Sequence, residues 1–289
     1  MPECRECGRQ HKDLETFDLR VISLGAGVQS TCMYLMAVEG DLPNPDMAIF
    51  ADTQSEPLET MAHLKWLQDT FGHIIPIKIA TRGSLRDDVI ESTKPDGKHF
   101  ANVPFWTIGI DGRETPGRRH CTREFKIDVV KKSVRETLGL QPGERAAGRF
   151  RVEEWIGISV DEASRAKPSR YSWVTSRWPL LYDMPMRRGD CLDWMADHGY
   201  PLPPKSACTF CPFRGLQEWR ELRDTQPEAY ADAVEIDHAL RRNGPLRGMG
   251  DLSYVHRSLR PLEEIVADSD ADEVQINLFE NECEGMCGV

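Results

Sequence analysis

Arg20-Val21-Ile22-Ser23-Leu24 is an apolar run of strand length, Gly25-Ala26-Gly27 breaks it, and apolar residues then recur at helical spacing over residues 30–38. A strand that turns through small residues straight into a helix lays that helix back across a sheet, so the next strand runs parallel to the first. The same succession repeats downstream. Residues 47–50 form a second short strand, and Pro57 opens a helix reaching to about residue 71, because proline suits a first helical position. Residues 74–79 and 85–91 repeat the pair, 123–138 read as a further helix, and 154–159 as a further buried strand. Alternation of this kind predicts an α/β fold, a mainly parallel twisted sheet with helices on both faces, whose ligands lie beyond the C-terminal strand ends.

Elsewhere the pattern is punctuated. Residues 94–120 form a Gly/Pro-broken loop that Phe100, Phe105 and Trp106 mark as structured. A helix over 189–198 is followed by Pro201, Pro203 and Pro204, which force an extended link into Cys208. The expected division is an extension over 1–18, an α/β domain over 19–205, a helical segment carrying Cys-x-x-Cys over 206–267, and an acidic tail over 268–289. A length of 289 residues, with 40% hydrophobic and 29% charged, supplies enough apolar material for such a core. No apolar run reaches the length of a membrane span, and residues 1–14 are too polar for a signal peptide, so a cytoplasmic location is expected. In such a reducing compartment the nine cysteines, an odd number, are not a disulfide framework. The net charge of −11 argues against a general nucleic-acid coat, yet residues 113–188 carry 17 Lys/Arg against 10 Asp/Glu. That basic middle suits a small anionic ligand, a confined nucleic-acid contact, or a merely solvated surface.

The glycine turn carries chemistry. Gly25 and Gly27 let backbone N–H groups approach an oxyanion, Ser23, Ser30 and Thr31 add hydroxyls, and the helix N-terminus adds a favourable dipole. It lacks the Gly-Lys-Ser/Thr of a Walker loop and the spacing of a dinucleotide fingerprint. The plain alternative is a bare turn between strand and helix. Cys208-Thr209-Phe210-Cys211-Pro212 is a spacing that lets two thiolates hold one metal or cluster. Cys-x-x-Cys-Pro is frequent around iron–sulfur centres, with zinc as the competing reading and no metal as the third. Cys4-x-x-Cys7 with His11 reads as a redox pair, half a zinc knuckle, or a dispensable extension. In Glu282-Cys283-Glu284-Gly285-Met286-Cys287-Gly288 the acidic neighbours raise the thiol pKa, so activation there requires a docked basic site.

Taken in order, these segments resemble the adenine-nucleotide α-hydrolases (the N-type ATP pyrophosphatases), and within them the phosphoadenylylsulfate (PAPS) reductase branch. The turn at 23–31 is similar to that family's phosphate loop. Phe50-Ala51-Asp52-Thr53 with Glu56-Pro57-Leu58-Glu59-Thr60 resembles its second-strand motif. Cys121-Thr122-Arg123-Glu124-Phe125-Lys126 resembles its Cys-Cys-x-x-Arg-Lys segment, and Gly157-Ile158-Ser159-Val160-Asp161-Glu162-Ala163-Ser164-Arg165 its Gly-x-Arg-x-x-Glu-Ser-x-x-Arg segment. Trp178-Pro179-Leu180 and Pro203-Pro204 before Cys208 complete a likeness spanning residues 20–223.

The resemblance implies an adenine nucleotide, ATP or a sulfonucleotide, with magnesium as a possible companion. Ser23, Gly25, Gly27, Gln29, Ser30, Thr31, Asp52 and Thr53 would hold it, and Lys126 and Arg165 would contact its anionic groups. It further implies a [4Fe–4S] cluster on Cys121, Cys208 and Cys211, with Thr122 standing where a second adjacent cysteine is expected. A fourth ligand then comes from Cys191 first, with Cys283 or Cys287 behind it. Alternatively, three cysteines leave an iron open to carry sulfur, as in relatives that thiolate tRNA. Cys283 and Cys287 resemble the reactive tail thiol of sulfonucleotide reductases, although the family's histidine after that cysteine is missing. Gln29 stands where the pyrophosphatases place aspartate, and Ser159 where an arginine is expected. Three functions follow: sulfur transfer, with tRNA or DNA among the acceptors; reduction of a sulfonucleotide to sulfite through Cys283 or Cys287 with a thioredoxin-like reductant; and a non-catalytic nucleotide sensor.

Overall fold

A computed structural model of the chain describes residues 16–94, 103–242, 244–246 and 249–268. In chain order it contains β1 (Leu19–Leu24), α1 (Val28–Glu39), β2 (Met47–Asp52), α2 (Leu58–Phe71), β3 (Ile77–Thr81), α3 (Leu85–Ser92), β4 (Trp106–Ile108) and β5 (Glu114–Pro116). A π-helical turn (Thr122–Ile127) leads into α4 (Asp128–Thr137), then β6 (Val152–Ile156), a 3-10 turn (Val160–Arg165) and β7 (Val174–Arg177). Helices α5 (Pro179–Tyr182), α6 (Arg188–Asp197), α7 (Leu216–Thr225), α8 (Pro227–Arg242) and α9 (Leu262–Asp268) follow.

Five strands make one parallel sheet in the order β3-β2-β1-β6-β7. Successive side chains along a strand face opposite ways, and the core divides accordingly. Ile22, Leu24, Ala48, Phe50 and Trp155 pack beneath α1, α2 and α6, while Val21, Ile49, Ala51 and Val152 pack against Val129, Val130 and Val134 of α4. The expected α/β sheet with helices on both faces is what the chain forms. Two glutamates inside the wholly buried strand β6 are matched locally: Glu154 pairs with Lys131, and Glu153 accepts hydrogen bonds from Trp155 Nε1 (2.8 Å) and Arg177 (3.3 Å).

A second core lies off the sheet. Leu85 and Val89 of α3, Val103, Phe105 and Phe125 pack with Phe210, Trp219, Leu222, Ile236, Leu240 and Ile265. The segment after Cys208 is thus built together with residues from much earlier in the chain. Several local expectations shift for physical reasons. Strand β3 begins at Ile77, because Ile74 and Ile75 close the turn after α2 and Pro76 has no N–H to enter a ladder. The helix expected over 123–138 opens as a π-helical turn. The loop over 94–120 contains the β4–β5 hairpin, and β7 is a short edge strand; neither was anticipated, since short strands without apolar alternation leave no periodic signal.

Candidate functional site

The strand order fixes where a ligand enters. From β1 the chain moves to β2 and β3, then returns to β6 on the other side of β1. The connections after β1 and β6 therefore leave in opposite directions and open a crevice at the C-terminal strand ends. The loop of residues 25–27 forms one wall. It turns through Ala26, whose φ of 54° is left-handed and costs a non-glycine residue about 1 kcal/mol. Gln54, just past β2, turns the same way with φ 57°. Backbone held in this region tends to mark a functional turn.

The loop's own polar groups hold its shape. Ser30 Oγ accepts from the Gly25 N–H at 3.1 Å and donates to the Gly27 carbonyl at 3.3 Å. Thr31 Oγ1 lies 3.2 Å from His63 Nε2, and burial lowers that imidazole to about 4, so it is neutral at physiological pH. Gln29 donates through Nε2 to Ser159 Oγ and to Glu162 Oε2, both at 3.3 Å, and Glu162 is also paired with Arg165. Gly157 lets β6 close against the loop: a Cβ there would stand 2.8 Å from the Ser30 nitrogen. Ser23 Oγ and Gln29 Oε1 are buried without a hydrogen-bond partner. Six of the expected nucleotide residues, Ser23, Gly25, Gly27, Gln29, Ser30 and Thr31, thus fall in one continuous buried stretch at the end of β1 and the start of α1. Arg165 lies beside it but engages Glu162.

The opposite wall is a pocket lined by Thr53, Arg119, Cys121, Thr122, Lys126, Ser206, Cys208, Phe210, Cys211 and Phe213, among others. Cys121 directly precedes the π-helical turn, which carries Lys126 into the pocket; such turns recur at functional positions. Cys208 and Cys211 sit on a tight turn closed by the Cys211 N–H donating to the Cys208 carbonyl at 3.0 Å. Arg214 braces that turn by donating to the carbonyls of Cys208 (3.2 Å) and Ala207 (2.9 Å). The Thr209 N–H donates to the Ser55 carbonyl at 2.8 Å, and Thr53 Oγ1 lies 3.5 Å from Cys208 Sγ. Burial first, then the charge of Glu56, pushes the Cys208 thiol well above its ordinary range.

Three residues that sequence reasoning did not single out join or complete the two walls. Ser206 donates from Oγ to the Gly25 carbonyl, tying the thiol segment to the phosphate loop. Arg214 shapes the cysteine turn. Glu56 lies under the pocket, its side chain 1% exposed; Oε1 accepts from Thr53 Oγ1 at 3.0 Å and lies 3.7 Å from Lys126 Nζ, while Oε2 is buried without a hydrogen-bond partner. Glu56 was visible only as one letter of the second-strand motif.

The ligand set for a cluster needs one correction. Cys191 is fully buried in the core under α1, where its free thiol lies beside the free thiol of Cys32. That contact, with burial, pushes the thiol up, and helix α6 carries it away from the pocket of Cys121, Cys208 and Cys211. Among the described residues, no three His, Cys, Asp or Glu side chains approach closely enough to hold a single metal ion. Three thiols around one apolar pocket, which Lys126 and Arg119 also line, are the donor type that iron–sulfur clusters use. Cys4, Cys7, His11, Cys283 and Cys287 lie outside the described residues. Among those described, no helix is long and apolar enough to cross a membrane.

No family model matches the chain. An uncharacterized 37.8 kDa protein of Escherichia phage 186 is 25% identical to it over 145 residues, 40% of this chain and 42% of that protein. The chain therefore matches less than half the length of this relative. Among solved structures, PAPS reductase from Candida auris in its phosphate complex is similar at 11% identity and a TM-score of 0.37, over 65% of this chain and 76% of that one.

Proposed function

We propose that the chain is a PAPS reductase-like enzyme that binds an adenine nucleotide in the crevice and carries out sulfur transfer. The observation that supports this reading is the junction of two chemically different walls: Ser206 Oγ donates to the Gly25 carbonyl of the phosphate loop, two residues before Cys208. A nucleotide whose phosphates meet the N–H groups of Gly25–Gly27 and the start of α1 has its reacting end directed across this junction toward the thiols. Lys126 and Arg119, both lining the pocket, can offset the charge of phosphate, sulfate or thiolate there. Held by Cys121, Cys208 and Cys211, a cluster supplies sulfur or electrons when bound. The apolar walls of Phe210, Phe213, Val103 and Leu85 exclude water from the reacting atoms. In this reading an acceptor oxygen takes the adenylyl group of ATP and releases pyrophosphate. A sulfide-level sulfur supplied by a separate sulfur donor then attacks the activated centre and displaces AMP. The acceptor is a small molecule, a tRNA or a DNA, and for a nucleic acid the basic stretch over 113–188 provides a counter-surface.

Gln29 favours a second reading, reduction of a sulfonucleotide. Its amide is engaged with Ser159 and Glu162, where an aspartate would offer a carboxylate to Mg2+ with ATP. There a thiolate of Cys283 or Cys287 attacks the sulfonate sulfur, the S–O bond to the nucleotide breaks, and a thioredoxin-like dithiol releases sulfite from the resulting S-sulfonate.

The test is calorimetric titration of the chain, purified without oxygen, with ATP, AMP, adenylylsulfate and PAPS, followed by assays of AMP and sulfite release. Binding of at least one nucleotide, weakened about tenfold or more in Ser30→Ala, and release of AMP or sulfite are expected. Absence of binding by all four overturns the proposal, and binding without turnover of any sulfur donor leaves the sensor instead.

A further inference from the structure

A second pocket opens on the other face of the sheet. Along β6, Trp155 packs beneath α1 while Val152 packs against α4. Successive side chains alternate, so Glu154 lies on the α4 side. There Glu154, Lys131 of α4 and Ser176 of β7 line a pocket whose outer wall is the loop carrying Lys167, Ser169 and Arg170. None of its lining residues belongs to the thiol pocket or to the phosphate loop.

The charge around this pocket does not balance. Lys131 and Glu154, with side chains 7% and 6% exposed, pair with one another. Asp128, outside the lining, accepts from the Tyr171 hydroxyl at 3.2 Å and lies 3.8 Å from Arg123. That leaves Lys167 and Arg170, which line the pocket and make no ion pair among the described residues. Arg170 and Lys131 both lie over the Tyr171 ring, at 5.6 Å and 5.9 Å from its centroid, so the cations are gathered around one side chain.

A buried ion pair contributes little to stability, because desolvation of both charges offsets their attraction. Two further cations beside it add repulsion, which an anion seated among them removes. The donors for such an anion are in place. A guanidinium and an ammonium match the oxygens of a dianion. Ser169 Oγ accepts from the Tyr171 N–H at 3.1 Å and keeps its own proton to donate. Ser176 brings a second hydroxyl from the strand.

We propose that this pocket is a second anion site, which binds the phosphate group of a small molecule between Lys167 and Arg170, with Ser169 and Ser176 donating to its oxygens. Lys131 and Glu154 form its floor. The site is separate from the nucleotide crevice and does not depend on what the crevice binds.

The experiment is hydrogen exchange of the chain in inorganic phosphate, against sodium chloride of equal ionic strength, with mass spectrometry resolving residues 167–176 from residues 23–31. Three variants run beside the wild type: Ser30→Ala in the phosphate loop, Arg170→Ala, and Lys167→Ala combined with Arg170→Ala. Both cations are exposed, so their removal leaves the core intact, and a melting curve of each variant checks the fold. Phosphate, but not chloride, should slow exchange over 167–176, at the same concentration in Ser30→Ala as in wild type. Removing Arg170 should raise the concentration required about tenfold, and removing both cations should abolish the effect. Exchange over 167–176 that phosphate leaves unchanged overturns the proposal, whether or not residues 23–31 are protected. So does protection that chloride reproduces, that the double variant keeps, or that Ser30→Ala loses.

Discussion

The two walls of the crevice are built in opposite ways. The phosphate-loop wall is a single stretch of chain, strand β1, a three-residue turn and helix α1, and most of its side chains bond within that stretch or to the adjoining end of β6. The thiol wall gathers Thr53, Val103, Cys121, Lys126, Cys208 and Phe213 from four separated stretches, and rests on a core of its own. A wall made of one stretch keeps its geometry as long as the sheet does. A gathered wall depends on every element that carries a piece of it.

That contrast yields the largest expected effect. Trp155 and Trp219 are both fully buried, the first under the loop and the second under the thiols. Truncation of either to alanine should cost roughly 3–5 kcal/mol, but with different functional consequences. Trp155→Ala removes the central β6 side chain of the sheet core and should lower nucleotide binding and thiol-pocket integrity together. Trp219→Ala should expose Cys208 and Cys211 to a thiol reagent while the loop still binds nucleotide. Urea unfolding followed in parallel by nucleotide binding and thiol labelling separates the two. Coincident loss of both signals in Trp219→Ala would show that the walls form one cooperative unit.

Acid should affect the two walls alike. His63, against Thr31 of the loop helix, and His256, in the C-terminal segment, are each lowered from 6.5 to about 4, by burial in both cases and also by Arg257 for His256. In the unfolded chain both take up a proton below about 6.5. Their contribution to stability is therefore complete above that pH and is lost as the pH falls from 6.5 toward 4. Each should contribute on the order of 2–3 kcal/mol to that loss. Replacing either histidine by glutamine should flatten part of the fall in unfolding free energy between pH 7 and pH 4.5. A slope unchanged in His63→Gln would mean that its imidazole is not held neutral.

The same contrast explains what could be read in advance. The loop wall was legible because strand, glycine turn and helix occur in order within one short stretch, and apolar spacing reports each of them. The parallel sheet followed from repetition of that unit. On the thiol wall, spacing identified Cys208 and Cys211, and a family likeness brought in Cys121, but neither reports distance in space. Cys191 has the right chemistry and lies in the wrong core, because its helix α6 packs on α1. Glu56 and Ser206 were missed for the converse reason: each is an ordinary residue in its local sequence and acquires a role through a long-range partner, while Arg214 acts locally, on a turn whose shape the sequence does not report. The β4–β5 strands, three residues each, are too short for periodicity to show.

The smallest effect tests the place where the loop wall does depend on a distant residue. Gly157 ends β6 directly against the first turn of α1, and a methyl group there would lie 2.8 Å from Ser30 N, 2.9 Å from Ser30 Cα and 3.1 Å from the Gln29 carbonyl carbon. All three are backbone atoms, so no side chain can rotate away to make room, and α1 must move as a unit. Gly157→Ala should therefore cost roughly 1–3 kcal/mol, the range for overpacking a dense interior. Because the displaced atoms belong to the turn that faces the phosphates, nucleotide affinity should fall by more than the stability loss alone accounts for. Labelling of Cys208 and Cys211 should stay at the wild-type rate, since neither is among the atoms nearest the added methyl. If nucleotide affinity in Gly157→Ala equals wild type, the close approach is packing alone, and the phosphates do not sit on this turn.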